Sequence, residues 1–215
     1  MPNRDGLLVV VSGPAGSGKS TLVENLIATI PGNARRAVTA TTRAPRPGEK
    51  DQVDYFFLVR DEFLRMVDEG DFLEYTEFNG NLYGVLRRAL EKELSRGGVV
   101  LLVIEVDGAE SVKFFFPDAI FVFIVPPTPF ALRRRLEGRG TESPADIEKR
   151  LGIAEREMQR IGEYDFLIIN DRLETATQDL AAVIRAVERS LIFGGEMERW
   201  EAGQFANWST RRFYV

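Results

Sequence analysis

Leu7-Leu8-Val9-Val10-Val11-Ser12-Gly13-Pro14-Ala15-Gly16-Ser17-Gly18-Lys19-Ser20-Thr21-Leu22 is the stretch on which the reading of this chain turns. Leu7–Val11 is a continuous apolar run of strand length, the pattern of a strand buried on both faces. Gly13 to Ser20 fits G-x-x-x-x-G-K-[ST], which a chain of this size matches by chance about once in a hundred. The spacing predicts a helix from Lys19 to Thr29, so the motif lies between a strand and a helix, as a phosphate-binding loop requires. Glycines let successive backbone N–H groups converge on phosphate oxygens, and the helix N-terminus adds partial positive charge. Gly13, Pro14, Ala15, Gly16, Ser17, Gly18, Lys19, Ser20 and Thr21 are therefore the candidate nucleotide-binding residues. Lys19 would reach the β- and γ-phosphates, and the Ser20 hydroxyl would ligate Mg²⁺.

Working outward, buried apolar runs alternate with amphipathic ones. Val99–Glu105, Ala119–Val125 and Phe166–Ile169 read as further buried strands; Thr128–Glu137, Ser143–Arg160 and Leu173–Leu191 read as helices. Strands separated by helices predict an α/β fold, a parallel sheet flanked by helices on both faces. Residues 36–96 break that rhythm. A charged, proline-punctuated loop is followed by alternating runs, DYFFLV and DFLEYTEF, around an amphipathic DEFLRMVDEG. This predicts a small mixed α/β insertion, mostly antiparallel. The expected organisation is a P-loop core of residues 1–35 and 97–192, with a lid at about 128–150, the insertion at 36–96 and a tail at 193–215. Trp200, Phe205, Trp208, Phe213 and Tyr214 lie in that tail. A tail docked on the body is the plainer reading of it, and a contact in a homo-oligomer the sharper one.

The composition narrows the chemistry further. The 215 residues include no Cys and no His. Disulfides, thiolate nucleophiles, Ser-His-Asp triads and Cys or His metal sites are thereby excluded. What remains is carboxylates, Lys, Arg, hydroxyls, backbone N–H groups and a hard metal ion. A net charge of −5 argues against nucleic acid as the main partner. No apolar stretch approaches about 18 residues, so no membrane partner is expected, and the chain is expected to be cytoplasmic.

Several other residues invite an anion. Arg43 and Arg46 sit three apart in T-T-R-A-P-R-P-G-E, and two guanidinium forks suit a dianionic phosphate. Tyr55 and Tyr83 offer phenolic donors. Glu74 lies in the apolar run Phe72-Leu73-Glu74-Tyr75, where a carboxylate is costly unless paired or outward-facing. Arg135 and Arg139 stand one helical turn apart, a like-charge pair that costs about 0.2–0.5 kcal/mol unless an anion offsets it. Arg150 begins the basic face of the next helix.

These motifs together resemble guanylate kinase. The resemblance is carried by the phosphate loop, T-T-R-A-P-R-P-G-E, Asp54-Tyr55, E-Y-T-E-F-N-G-N-L-Y-G, R-L-E-G-R-G-T-E and Ile169-Asn170-Asp171, in that order, over about Leu7 to Arg189. It implies transfer of a phosphoryl group from Mg²⁺–ATP to GMP, and a core, lid and nucleotide-binding region that close on each other. Arg43, Arg46, Tyr55 and Tyr83 match residues that bind the GMP phosphate, and Glu74 the residue that reads the guanine edge. Lys19, Arg135, Arg139 and Arg150 match those that grip the ATP phosphates and the transferring group, with Arg43 also counted as catalytic. Asn170 joins the ATP set by the same match, and Thr39 stands where a guanine-contacting Ser is common. Val85 replaces a usual Ser or Thr. Of an expected acidic pair only Glu105 is present, with Val103 at the other position. Glu105, at the end of a core strand, is a candidate contact to the acceptor base or outer-shell Mg²⁺ ligand. Two alternatives stay open: a P-loop kinase for another small phosphate acceptor, which Val85 favours, and a non-catalytic interaction module, which the intact Gly18-Lys19-Ser20 disfavours.

Overall fold

The computed structural model describes residues 6–29, 34–78, 80–138 and 143–197. In chain order the elements are β1 (Leu7–Ser12), α1 (Lys19–Thr29), β2 (Ala34–Arg36), β3 (Thr39–Thr41), β4 (Tyr55–Phe57), α2 (Arg60–Asp68), β5 (Phe72–Phe78), β6 (Asn81–Leu86), α3 (Arg87–Ser95), β7 (Val99–Val103), α4 (Val106–Phe115), β8 (Ile120–Val125), α5 (Pro129–Glu137), α6 (Pro144–Met158), β9 (Phe166–Ile169) and α7 (Leu173–Met197). The chain divides into two compact units, Met1–Val10 with Ile30–Ile120, and Val11–Thr29 with Phe121–Val215. Strand β1 contributes its first residues to one unit and its last to the other.

In the first unit β1 is followed outward by β7 and then β2, and β2 and β7 run parallel with Ala34 opposite Val99. A second sheet has the order β4-β3-β6-β5. Its β3–β4 pair is parallel, while β6 runs antiparallel to both β3 and β5. This sheet is thus mixed, in keeping with the interrupted alternation of its sequence. Its core is Ala40, Phe63 and Leu82, packed by Phe56, Leu58, Val67, Phe72 and Leu86. The Phe63 ring, fully buried, stacks on Phe72 with centroids 4.3 Å apart; its burial alone contributes about 1.5–3 kcal/mol. Helix α4 packs against β5.

In the second unit β1 is followed by β8 and β9, the latter two parallel with Val122 opposite Phe166. Helix α7 packs on α1 and β9. Helices α5 and α6 pair through Leu132, Leu136, Ile147 and Ala154, with Leu151 against them. Thr128 and Ser143 cap these two helices by accepting the N–H groups of Ala131 and Asp146.

Two boundaries differ from the sequence reading by more than capping residues. The strand expected over Val99–Glu105 ends at Val103, and Glu105 is the N-cap residue of α4. The apolar run at 99–104 ends in Glu-Val-Asp-Gly, where a first helical turn with acidic residues competes successfully with strand extension. Helix α7 continues through Gly194-Gly195 to Met197; two glycines at about 1 kcal/mol each do not stop it. Helix α5 ends at Glu137, where the sequence reading puts it; Arg139, expected one turn after Arg135, lies outside the described residues, as do the tail aromatics from Trp200 onward.

Candidate active site

The glycine loop begins where β1 ends. Gly13 has φ +136°, Gly16 +90° and Gly18 +92°, all in the left-handed half of the backbone map that L side chains avoid. At Gly13 the restriction is also steric, because a Cβ there would run into the backbone carbonyl of Ile124 on β8. The loop closes with the Ser17 N–H donating to the Pro14 carbonyl at 3.0 Å and delivers Lys19 to the first position of α1. A lysine in a surface loop is ordinarily exposed, but Lys19 is buried at 8 % exposure. The reason is local: its ammonium folds over the loop and donates to the Gly13 carbonyl at 2.5 Å and the Pro14 carbonyl at 3.4 Å. Ser20 and Thr21 follow on the exposed side of the first turn.

Two further residues of this unit meet the loop. Asn170, just after β9 and buried, donates its side-chain amide to the Ser17 carbonyl at 2.8 Å. Arg135 of α5 donates to the Asn170 carbonyl at 2.7 Å and to the Ser17 carbonyl at 3.3 Å. The loop carbonyls thus face inward onto Lys19, Arg135 and Asn170. Arg150 is half-buried on α6. Among the described residues no cluster of three or more Asp, Glu, His or Cys could hold a metal ion. The exposed Ser20 hydroxyl is an oxygen of the kind that fits Mg²⁺, which keeps waters and takes only one or two protein oxygens beside phosphates.

The first unit holds a second cluster. The bulge between Phe72 and Glu74 sets Glu74 opposite Val85 across β5–β6, so their side chains share one face. Glu74 does not face outward: its carboxyl lies on Gly108 of α4, so close that a Cβ there would sit 2.6 Å from Glu74 Oε2. Burial, with Glu105's charge as a lesser cause, pushes the Glu74 carboxyl up to about 7. Val85, 2 % exposed, adds to the desolvation. Arg43 has its guanidinium 5.3 Å from the Tyr55 ring centre and 5.8 Å from that of Phe57. Tyr55 and Tyr83 meet edge to face at 6.5 Å. Thr39 is half-buried on β3, paired with Tyr55. Arg46 is exposed on the loop between β3 and β4.

The structure brings Lys19, Ser20, Arg135 and Asn170 to the glycine loop, and Arg43, Tyr55 and Tyr83, like Glu74, Val85 and Glu105, to one another in the first unit. Two participants escape a reading of the sequence. Glu49 pairs with Arg43, and its only signal is an acid three and six residues after two arginines. Gly108 reads merely as a poor helix former.

A parallel α/β sheet whose first strand feeds a glycine-rich phosphate loop and a helix defines the P-loop class of nucleotide-binding proteins. Within that class, the family model for guanylate kinase matches residues 5–187. The chain belongs to the guanylate kinase family. It is 43 % identical to the guanylate kinase of Desulfitobacterium hafniense (strain Y51), over 86 % of this chain and 92 % of that one. It is 46 % identical to that of Thiobacillus denitrificans, over 86 % and 88 %. A solved structure, guanylate kinase from Anaplasma phagocytophilum, aligns with a TM-score of 0.67 and 34 % identity, over 85 % of this chain and 86 % of that chain. Among the described residues no helix is long and apolar enough to cross a membrane.

Proposed function

We propose that this chain transfers the γ-phosphoryl group of ATP to GMP, giving ADP and GDP, with donor-binding residues in the second unit and acceptor-binding residues in the first. The observation that carries the reading is the phosphate loop, with its three positive-φ glycines and Lys19 at the head of α1. The donor set is Gly13 to Thr21 with Asn170, and Arg135, Arg139 and Arg150 neutralise the transferring charge. Mg²⁺ travelling with ATP would take the Ser20 hydroxyl and supply charge neutralisation on the β- and γ-phosphates. The acceptor set is Arg43, Arg46, Tyr55 and Tyr83 for phosphate, and Thr39, Glu74 and Glu105 for guanine. The proposed division is that of the sequence reading, a core of 1–35 and 97–192 carrying the lid, and an insertion of 36–96.

The acceptor phosphate is itself the nucleophile. With a second pKa near 6 it is largely dianionic at pH 7 and needs no general base, in keeping with a chain that has no His. The protein's work is placement and charge neutralisation of two anions. Guanine offers N1–H and a 2-amino group on one edge. The Glu74 carboxylate, an acceptor only, pairs with both, whereas adenine leaves it buried and unsatisfied.

A coupled assay of ADP release with GMP, AMP, CMP and UMP tests the reading. Turnover with GMP well above the other three is the expected result. Preference for another acceptor would assign the pocket to a different kinase. No turnover with any of them would leave a binding module.

A further inference from the structure

The loop T-T-R-A-P-R-P-G-E ends in an acid, Glu49, which is out of place in a region meant for a dianion. Its geometry explains it. Glu49 takes Arg43 in a two-pronged pair, Nη1 to Oε2 and Nη2 to Oε1, both at 3.0 Å. The second Nη1 hydrogen goes to the Ala44 carbonyl at 2.7 Å. Glu49 is itself fixed, because Oε2 accepts the Arg46 N–H at 2.7 Å and the Glu49 N–H returns to the Arg46 carbonyl at 3.0 Å. The Arg43 backbone N–H is held by the buried Thr41 hydroxyl at 3.1 Å. Side-chain exposure is only 15 % for Arg43 and 20 % for Glu49.

A guanidinium carries five N–H donors. Both on Nη1 and one on Nη2 are engaged here, which leaves Nε–H and the other Nη2 hydrogen. Those two lie parallel on one edge, the spacing that matches two oxygens of a phosphate.

We propose that Glu49 is a positioning residue: it occupies one fork of Arg43 so that the Nε–Nη2 edge is held ready for the phosphate of the acceptor nucleotide. The inference rests on the reading of Arg43 as an acceptor-phosphate residue. The arrangement trades some repulsion between Glu49 and the incoming dianion for an arginine that loses little side-chain freedom on binding. Glu49 commits its carboxylate to Arg43 and the Arg46 N–H, so its loss should appear in acceptor affinity and not in the transfer step.

The test is a double-mutant cycle with Glu49→Gln and Arg43→Ala, read as the GMP dissociation constant by titration calorimetry and as kcat and both KM values. Glu49→Gln should weaken GMP about tenfold, the scale of one charge-assisted contact. It should leave kcat and the ATP KM within about twofold. In the Arg43→Ala background the same change should add almost nothing. Unchanged or tighter GMP binding by Glu49→Gln would overturn the proposal, since the acid would then be a bystander or a competitor. Multiplying effects in the double variant would overturn it too. If Arg43→Ala alone leaves GMP binding intact, the underlying assignment of Arg43 falls instead.

Discussion

Glu74 carries a conflict that one side chain cannot resolve by itself. Its carboxyl is held near 7 by burial and by Glu105, against 4.5 for an ordinary glutamate. Between those two values the folded chain binds a proton that the unfolded chain has released, so stability falls as pH rises through that window and the full cost stands above it. Each unit is about 1.4 kcal/mol, making the ionised form a burden of a few kcal/mol. Glu74→Gln should therefore raise the melting temperature at pH 8 and change it little at pH 4. Equal gains at both pH values would show that charge is not the cause. If Glu74 pairs with guanine as proposed, the base needs the acceptor form, so the GMP KM should fall as pH rises from 6 to 8. Glu74→Gln should remove the limb near 7 and leave that of the nucleotide phosphate near 6.

Its neighbour Gly108 makes a separate case. In α4 an alanine would be favoured over glycine by about 1 kcal/mol, yet its Cβ would displace the Glu74 carboxyl. Gly108→Ala is expected to keep the fold, weaken GMP at least about tenfold and leave the ATP KM alone. Unchanged GMP kinetics would remove the Glu74 carboxyl, as it is placed against Gly108, from guanine recognition.

At the scale of elements, the loop after β9 is tied to the glycine loop through one amide. Asn170 bonds the Ser17 carbonyl with its side chain and Arg135 with its own carbonyl. Asn170→Ala should raise the ATP KM and leave that for GMP unchanged, with about 1–3 kcal/mol lost in urea unfolding. A stability loss with unaltered ATP kinetics would restrict Asn170 to a structural role. Elements whose signal is local were legible before the structure. The phosphate loop, its strand and its helix follow from a motif in contiguous residues, and α5, α6, β8 and β9 follow from apolar period, each within a residue or two. Helix α4 was not legible, because Glu-Val-Asp-Gly-Ala-Glu-Ser-Val has neither a clean helical nor a strand period and its glycine lowers helix propensity. The Arg43–Glu49 pair was not legible either. A proline-rich loop has no period, so nothing says which of its charges meet.

For the whole molecule, the absence of His makes pH experiments unusually direct, since no imidazole can mimic a carboxyl titrating near 7. Lys19→Ala should abolish turnover while a cooperative melt persists, because the loop is held by its glycine conformations and by Asn170 as well as by the ammonium. Wild-type turnover in that variant would remove the phosphate loop from the reaction.

The Gly13 contact with β8 has a genetic meaning. Whatever glycine codon specifies that residue, every missense change adds a Cβ, and the Ile124 carbonyl already occupies the place it would take. Gly70, also at positive φ, has nothing within 4 Å of such a Cβ. In a randomised library selected for growth on this gene alone, codon 13 should return glycine almost exclusively, while codon 70 should drift toward asparagine and aspartate. Allele frequencies at two codons would then report, without purifying any protein, that a backbone carbonyl is a stricter neighbour than open solvent.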